Sequence, residues 1–311
     1  MKIVVTGALG HIGSYIIRQL PFYYPNAEIV LIDNLMTLRF ASVFNLPNIG
    51  NYKFFERDIT KDSLDEFLIN ANIVIHLAAI TDAAGSFERQ EELENNNFIA
   101  TKRIAEACLK HNIKLIILSS TSVYGTQNLL VAEDCMPDEL KPQSPYAITK
   151  LKEEEFVIKL CNESGLKAII CRFGTIYGIS PGMRFHTAVN KFCWQAVMNI
   201  PVTVWSTAYD QKRPYLDLGD AARAFEFIIN NDIFDGEIYN VLSGNHTVRD
   251  IIDSIKKHLN KVEISFVENK IMNQLSYEVS NKKFINKGFS FNGNINSGVG
   301  NTINLLKNSN R

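Results

Sequence analysis

The chain has 311 residues, 46% of them hydrophobic and 21% charged, and 32 lysines and arginines against 33 acidic residues leave a formal net charge of -1. That balance argues against a nucleic acid or an anionic membrane surface as the main partner, because such binding rests on a surplus of cations. The length suffices to bury about three quarters of the unfolded surface without disulfide support. The five cysteines, Cys108, Cys135, Cys161, Cys171 and Cys193, are odd in number and form no C-x-x-C pair. Neither a disulfide framework nor a metal site is expected, and reduced thiols point to a cytoplasmic protein.

The opening run MKIVVTG carries one lysine and breaks at Gly7, too short for a signal-peptide core, so it reads as a strand. No later stretch approaches about 20 uncharged apolar residues, so no membrane span is expected. Apolar, β-branched runs at 3–6, 29–32, 53–55, 73–77, 115–119 and 168–172 alternate with helical patterns at 11–20, 62–70, 95–111 and 146–163. The two long helices carry alternating charges on one side, and Gly165 closes the last as a C-cap glycine. Continuous apolar strands separated by helices predict a doubly wound α/β fold of Rossmann type, its parallel sheet covered on both faces.

After Arg172 the texture changes to glycine, proline and aromatic residues, followed by a helical stretch at 187–198. Residues 215–241 read as a return to the main sheet, with a helix at 217–230 and a strand at 238–241. A helix at 248–259, a strand at 263–267 and an Asn-rich tail at 292–301 complete the pattern. The predicted division is a dinucleotide-binding domain of 1–172 with about 215–241, and a smaller C-terminal substrate-binding lobe of 173–214 and 242–311.

Gly7, Gly10 and Gly13 follow the first strand as T-G-x-x-G-x-x-G and open a helix. The backbone must turn tightly there and approach a pyrophosphate, while the helix N-terminus supplies N–H donors and a positive dipole end. Asp33 stands twenty residues past Gly13 at the end of the second strand. A carboxylate there accepts from both ribose hydroxyls and repels a 2′-phosphate, which favours NAD over NADP, with Arg39 the one nearby cation that opposes the repulsion.

Tyr146 and Lys150 lie four positions apart in a predicted helix and so share one face. An ammonium beside a phenol favours phenolate, as does a positive nicotinamide ring, and the phenol's pKa is expected to fall toward working pH. Tyr146 then becomes a general base for a sugar or alcohol hydroxyl. Ser120 ends the strand 115–119 on the carboxyl edge of the sheet, where ligands of open α/β sheets bind, and offers a hydroxyl to hold the substrate oxygen.

TGALGHIG at 6–13, Asp33 in LIDNL, Asp58-Ile59, HLAA at 76–79, SSTSVYG at 119–125, YAITK at 146–150, RFGTIYG at 172–178 and YNVLSG at 239–244 together resemble the extended short-chain dehydrogenase/reductase family. Within it the chain is most similar to the nucleotide-sugar epimerases and dehydratases, along nearly its whole length. The resemblance implies a catalytic Ser120, Tyr146 and Lys150, with Lys150 also on the nicotinamide ribose. It implies NAD pyrophosphate on Gly7, Gly10, His11, Ile12 and Gly13, and adenine ribose on Asp33 with Asn34 beside it. Asp58 and Ile59 would contact adenine, and Leu77, Ala78 and Ala79 would lie under the nicotinamide-side ribose. Asn97 matches a structural asparagine.

On the substrate side the resemblance places a nucleotide diphosphate on Arg213, in KRPYLDLGD, with Arg184 a second candidate. Thr121 and Ser122 stand where dehydratases of the family carry an Asp-Glu pair, and Ser122 also stands where the 5-epimerising reductases carry a Cys. Thr175 replaces the usual Asn of the second-lobe motif, while His186 is placed either on the substrate or within its own loop. The implied chemistry is 4-epimerisation of a nucleotide-diphosphate sugar, in which Tyr146 deprotonates the 4-hydroxyl and a transient 4-keto sugar forms. A 4-dehydrogenase, a 4-ketoreductase, an atypical dehydratase and a non-catalytic NAD-binding regulator remain open. The family also implies a homodimer through the two long helices and a setting in envelope or capsule polysaccharide biosynthesis.

Overall fold

A computed structural model describes residues 1–81, 90–125, 130–268 and 277–309, so parts of the predicted second lobe (269–276 and 310–311) lie outside the described residues. The chain opens as β1 (Lys2–Thr6), α1 (His11–Tyr23), β2 (Glu28–Asp33), β3 (Asn51–Glu56), α2 (Asp65–Leu68), β4 (Ile73–His76), α3 (Gln90–Lys110) and β5 (Lys114–Ser120). It continues through β6 (Leu130–Val131), α4 (Pro145–Ser164), β7 (Ala168–Phe173), β8 (Thr175–Tyr177), α5 (Ala188–Val197), β9 (Val202–Trp205), β10 (Lys212–Asp217) and α6 (Leu218–Asn230). It ends with β11 (Ile238–Val241), β12 (Gly244–Thr247), α7 (Val248–Lys256), β13 (Ile264–Val267), β14 (Glu278–Val279), α8 (Lys282–Asn286) and α9 (Ile295–Leu306).

Seven parallel strands pair in the order β3-β2-β1-β4-β5-β7-β11, the doubly wound order of a Rossmann sheet. Strand period decides which face each residue serves. Ile3, Val5, Leu31, Ile169 and Cys171 join a core with residues of α1 and α6, while Val4, Val30, Val74, Ala168 and Ile170 join the opposite core with α3 and α4. The strand order reverses between β1 and β4, which leaves a crevice at their carboxyl ends, the place where open α/β sheets bind ligands.

α4 shows how local sequence fixes an element. Ser144 accepts from the Ala147 N–H at 3.2 Å, Pro145 takes the first turn, and Gly165 at φ +75° closes the C-terminus with the Leu166 N–H on the Leu160 carbonyl.

The rest of the chain builds a three-stranded sheet, β12-β10-β8, and a parallel pair, β13 with β9. Their core unites Phe192, Val204, Tyr215, Ile251, Ile255, Val299 and Ile303. The Asn-rich tail differs from its sequence reading. Asn294 caps α9 by accepting from Asn296 and Ser297, and Ile295, Val299, Ile303 and Leu306 bury one helical face. Gly298 is required there, because a Cβ would lie 2.4 Å from the Tyr177 ring. Phe284 and Phe289, from the stretch assigned to the second lobe, pack instead into the core of the main sheet. Among the described residues no helix is long and apolar enough to cross a membrane.

Candidate active site

The glycine loop sits at the carboxyl end of β1. Gly7 has φ +65°, and a Cβ there would lie 2.6 Å from the Ala78 nitrogen, so both its turn and its approach to the end of β4 exclude a side chain. A Cβ on Gly13 would lie 2.4 Å from the Gly7 carbonyl, which fixes how closely α1 packs on the loop. Gly10 differs: its Cβ would lie 3.3 Å from the Gly7 carbonyl, a tight contact rather than a clash, and the residue lines the cleft. The first-turn N–H groups of His11, Ile12 and Gly13 have no intrahelical acceptor, and α1 carries no acidic residue in that turn to offset the positive dipole end.

Asp33 ties this loop to β2. Its Oδ2 accepts from the Leu9 N–H and its Oδ1 from the Leu35 N–H, both at 3.0 Å, while the carboxylate borders the cleft. Asn34 accepts from the Met36 N–H at 3.1 Å, and Asp58 accepts from both the N–H and the hydroxyl of Thr60. Asn34, Asp58 and Ile59 line the same wall. Leu77, Ala78 and Ala79 line the floor, and Asn97 clamps the next residue, accepting from the Ile80 N–H at 2.8 Å and donating to its carbonyl at 2.9 Å.

His11, buried at the edge of the cleft, meets the Gly178 carbonyl through Nε2 at 2.9 Å. A carbonyl only accepts, so Nε2 carries the proton. Ser180 donates to the His11 carbonyl at 2.8 Å, Gly182 N–H donates to Ser14 Oγ at 2.9 Å, and a Cβ on Gly182 would lie 2.3 Å from the Leu9 carbonyl. Burial pushes the pKa of His11 down to about 4 and that of His76 down to about 3. Each ring stays neutral when folded and gains a proton when unfolded, so stability falls as pH drops below about 6.5, by at most ~1.4 kcal/mol per pH unit for each ring. Urea titrations from pH 7 to pH 5 are expected to show this slope, reduced in His11→Asn; an equal slope in that variant contradicts the buried neutral ring.

Ser120, Tyr146 and Lys150 come together at the cleft, from the end of β5 and the first turns of α4. Ser120 caps a short 3-10 turn at 121–124, accepting from the Ser122 N–H at 3.2 Å and the Ser122 hydroxyl at 2.9 Å. Its own O–H is thereby left to point at another acceptor. Thr121 is buried and donates to the Phe173 carbonyl at 3.2 Å. The Lys150 ammonium stands 5.9 Å from the Tyr146 ring centroid.

The phenol differs from its sequence-based expectation. Burial pushes Tyr146 upward, Lys150 and Arg184 pull it down, and Glu153 pushes it up again, leaving it above the ordinary value. Burial disfavours the Lys150 ammonium, but Glu153 and Tyr146 outweigh this and hold it protonated. Sequence reasoning missed Glu153, only 1% exposed, with Nζ of Lys150 on its Oε2 at 2.9 Å. The i, i+3 spacing from Lys150 was its one available signal.

The same cleft is also lined by Thr175, Arg184, His186 and Arg213. Thr175 belongs to β8 and lies in register with Tyr215 of β10. Arg184 donates to the Thr81 hydroxyl, and its carbonyl accepts from Asn190 at 2.9 Å, while His186 is exposed at the cleft. Arg213 lies on β10 opposite His246 of β12; its Nε and Nη2 are buried and have no hydrogen-bond partner among the described residues. A guanidinium with desolvated, unmatched donors is costly unless an anion reaches it. The cleft therefore brings together a glycine loop at a helix N-terminus and an arginine with unmatched donors.

A family model described as the NAD dependent epimerase/dehydratase family matches residues 3–241. Among curated proteins, a trifunctional UDP-glucose 4,6-dehydratase/UDP-4-keto-6-deoxy-D-glucose 3,5-epimerase/UDP-4-keto-L-rhamnose-reductase of Arabidopsis thaliana is 30% identical over 97% of this chain, which spans 46% of that protein's length. An uncharacterized UDP-glucose epimerase of Bacillus subtilis (strain 168) is 28% identical, over 78% of this chain and 76% of its own. Among solved structures, the UDP-glucuronic acid 4-epimerase from Bacillus cereus, in complex with UDP-glucuronic acid and NAD, superposes with a TM-score of 0.88 at 26% identity, over 99% of this chain and all of that one. A glycine loop at the switch point, a serine, tyrosine and lysine at one cleft, and a family match across 3–241 together place the chain: it belongs to the NAD dependent epimerase/dehydratase family.

Proposed function

We propose that the chain is an NAD-dependent nucleotide-sugar 4-epimerase. The observation that carries this reading is the state of the two residues after Ser120: Thr121 is directed at the Phe173 carbonyl and Ser122 at Ser120 itself. Neither side chain is an acid or base near neutral pH, so the Asp-Glu pair with which dehydratases of the family remove water is not present at these two positions. Without that pair, the simplest chemistry is proton removal by the tyrosine at one hydroxyl and its return. When bound, NAD supplies the hydride acceptor and donor for oxidation and re-reduction at C4 of the sugar. Tyr146 takes the 4-hydroxyl proton, Lys150 holds the phenolate, and Ser120 donates to the same oxygen.

The cofactor is held, in this reading, by Gly7, Gly10, His11, Ile12 and Gly13 at the pyrophosphate, by Asp33 at the adenine ribose and by Lys150 at the nicotinamide ribose. Arg213 takes the substrate diphosphate, the role its unmatched Nε and Nη2 support. Thr175, Arg184 and His186 border the sugar. Arg184 acts on the Tyr146 phenol through space, so a cation stands near the reacting end of the sugar. NMR analysis after incubation with UDP-glucose, UDP-N-acetylglucosamine and UDP-glucuronic acid, beside GDP-, CDP- and dTDP-sugars, is expected to show a 4-epimer without net NADH. Loss of water or accumulation of NADH overturns the epimerase reading, and absence of turnover with intact NAD binding favours a regulator.

Arg213→Ala is expected to weaken nucleotide-sugar binding by about 1.5–3 kcal/mol, the scale of a charge-assisted hydrogen bond. Unchanged affinity by calorimetry removes Arg213 from the diphosphate site. A homodimer through α3 and α4 belongs to the same proposal. These helices pack on each other and leave Ile99 and Ile148 each about two fifths exposed, and a monomer mass in sedimentation equilibrium contradicts it. A cytoplasmic role in polysaccharide biosynthesis completes the reading.

A further inference from the structure

A chain of hydrogen bonds runs beneath the active-site floor and ends on a carboxyl that never reaches the cleft. Thr6 Oγ1 meets His76 Nδ1 at 2.7 Å, His76 Nε2 meets Thr101 Oγ1 at 3.3 Å, and the Thr101 hydroxyl donates to Glu153 Oε2 at 2.8 Å. Lys150 Nζ donates to the same oxygen at 2.9 Å. Thr101 has one proton and gives it to Glu153, so it accepts from His76; the neutral ring then carries its proton on Nε2 and accepts from Thr6. Every donor therefore points toward Glu153.

The charge follows from the ammonium: Lys150 Nζ at 2.9 Å can only donate to Oε2, and a proton on Oε1 would face no acceptor among the described residues, where that atom is buried and unpartnered. Burial pushes the Glu153 carboxyl up, and Lys150 and the Thr101 hydroxyl pull it down. Its direct contact with the ammonium makes Glu153 the anion of a buried ion pair.

We propose that Glu153 is a positioning residue that sets the ionisation of Tyr146 through Lys150. Its carboxylate draws the ammonium toward the sheet and offsets part of the charge that would otherwise act on the phenol. The proposal rests on Tyr146 being the base, as read above. Among the described residues, the charged and titratable groups around this cluster are few. His76 approaches from β4 and is neutral, while Thr101 approaches from α3. Glu154, the neighbour on α4, is committed to Arg172 of β7 through two hydrogen bonds, and Arg184 acts on the phenol from the cleft side. Among these, Glu153 is the anion paired directly with Lys150.

The test is a titration of the Tyr146 phenol in the NAD-loaded protein by ultraviolet difference spectroscopy, with Tyr146→Phe subtracting the other tyrosines. Glu153→Gln keeps the shape and removes the charge. The phenol midpoint is expected to move down by ~1 pH unit or more, the scale of a charge contact within a buried cluster. The acid limb of any turnover moves the same way. Glu153→Ala, which cannot overpack, is the second variant and is expected to shift the midpoint in the same direction. An unmoved midpoint in a folded variant overturns the proposal, as does failure of both variants to fold, which makes Glu153 a residue of stability alone. Because the titration reads the phenol without a sugar, a shifted midpoint with no turnover on any nucleotide sugar leaves this proposal standing and removes the epimerase.

Discussion

Tyr146→Phe is expected to lower turnover by about 10²–10⁴-fold, the usual contribution of a positioned general base, with NAD affinity and thermal stability close to those of the parent. The substitution keeps the ring that lies 5.9 Å from Lys150 and removes only the hydroxyl. Lys150 remains held by Glu153, so the floor beneath the phenol is not expected to rearrange. The pH profile provides a second reading of the same step. Burial holds the phenol above its ordinary value, so the parent's rate should climb with pH as the phenolate fraction grows. That climb disappears in the variant. Activity at the parent's level, or an unchanged pH profile, would exclude Tyr146 as the base.

The second large effect concerns stability. Arg172 on β7 forms a two-point ion pair with Glu154 on α4, at 2.9 and 2.7 Å, with both side chains about 3% exposed. Its guanidinium also lies 4.8 Å from the Tyr124 ring centroid. Arg172→Met leaves a buried carboxylate without its partner, and removal of one member of such a pair costs ~3–5 kcal/mol. A large drop in the denaturation midpoint is expected. Arg172→Met with Glu154→Leu removes both charges and should recover most of the loss, because an apolar pair in the same volume is often neutral or better. A double-mutant cycle showing no coupling would contradict the pair. The pair joins the helix that presents Tyr146 and Lys150 to the strand that leads into Thr175, so its loss is felt at the site as well.

What the sequence disclosed follows from the range of the interactions involved. The glycine loop is legible because its requirements are local: a turn at Gly7, a tight helix start at Gly13 and a carboxylate at the next strand end. Tyr146 and Lys150 are legible because four residues on a helix make one face. The inner strands of the main sheet are legible as apolar runs because both faces are covered there, whereas β3 at the edge is largely exposed.

Other features depend on partners distant in sequence. Glu153 and Glu154 sit in a helix whose charges read as a solvated side, yet both are buried, because Lys150 and Thr101 hold one and Arg172 the other. Nothing in the spacing of acidic residues distinguishes a carboxylate facing water from one facing a guanidinium 18 positions away. The short strands β8, β9 and β12 escaped notice because each takes its partner from a remote segment. In α9 the apolar period was present, but asparagine and glycine obscured it; the capping role of Asn294 and the packing role of Gly298 appear only once Tyr177 and the helix start are in place.

The seam between the glycine loop and the segment 178–182 has a mechanical consequence. His11, Ser14 and Leu9 are fastened to Gly178, Ser180 and Gly182 by three hydrogen bonds and a glycine contact too close for a methyl group. The start of α1 and the stretch leading to Arg184 therefore move as one body. A hinge that opened the cleft at this point would have to break all of these contacts together.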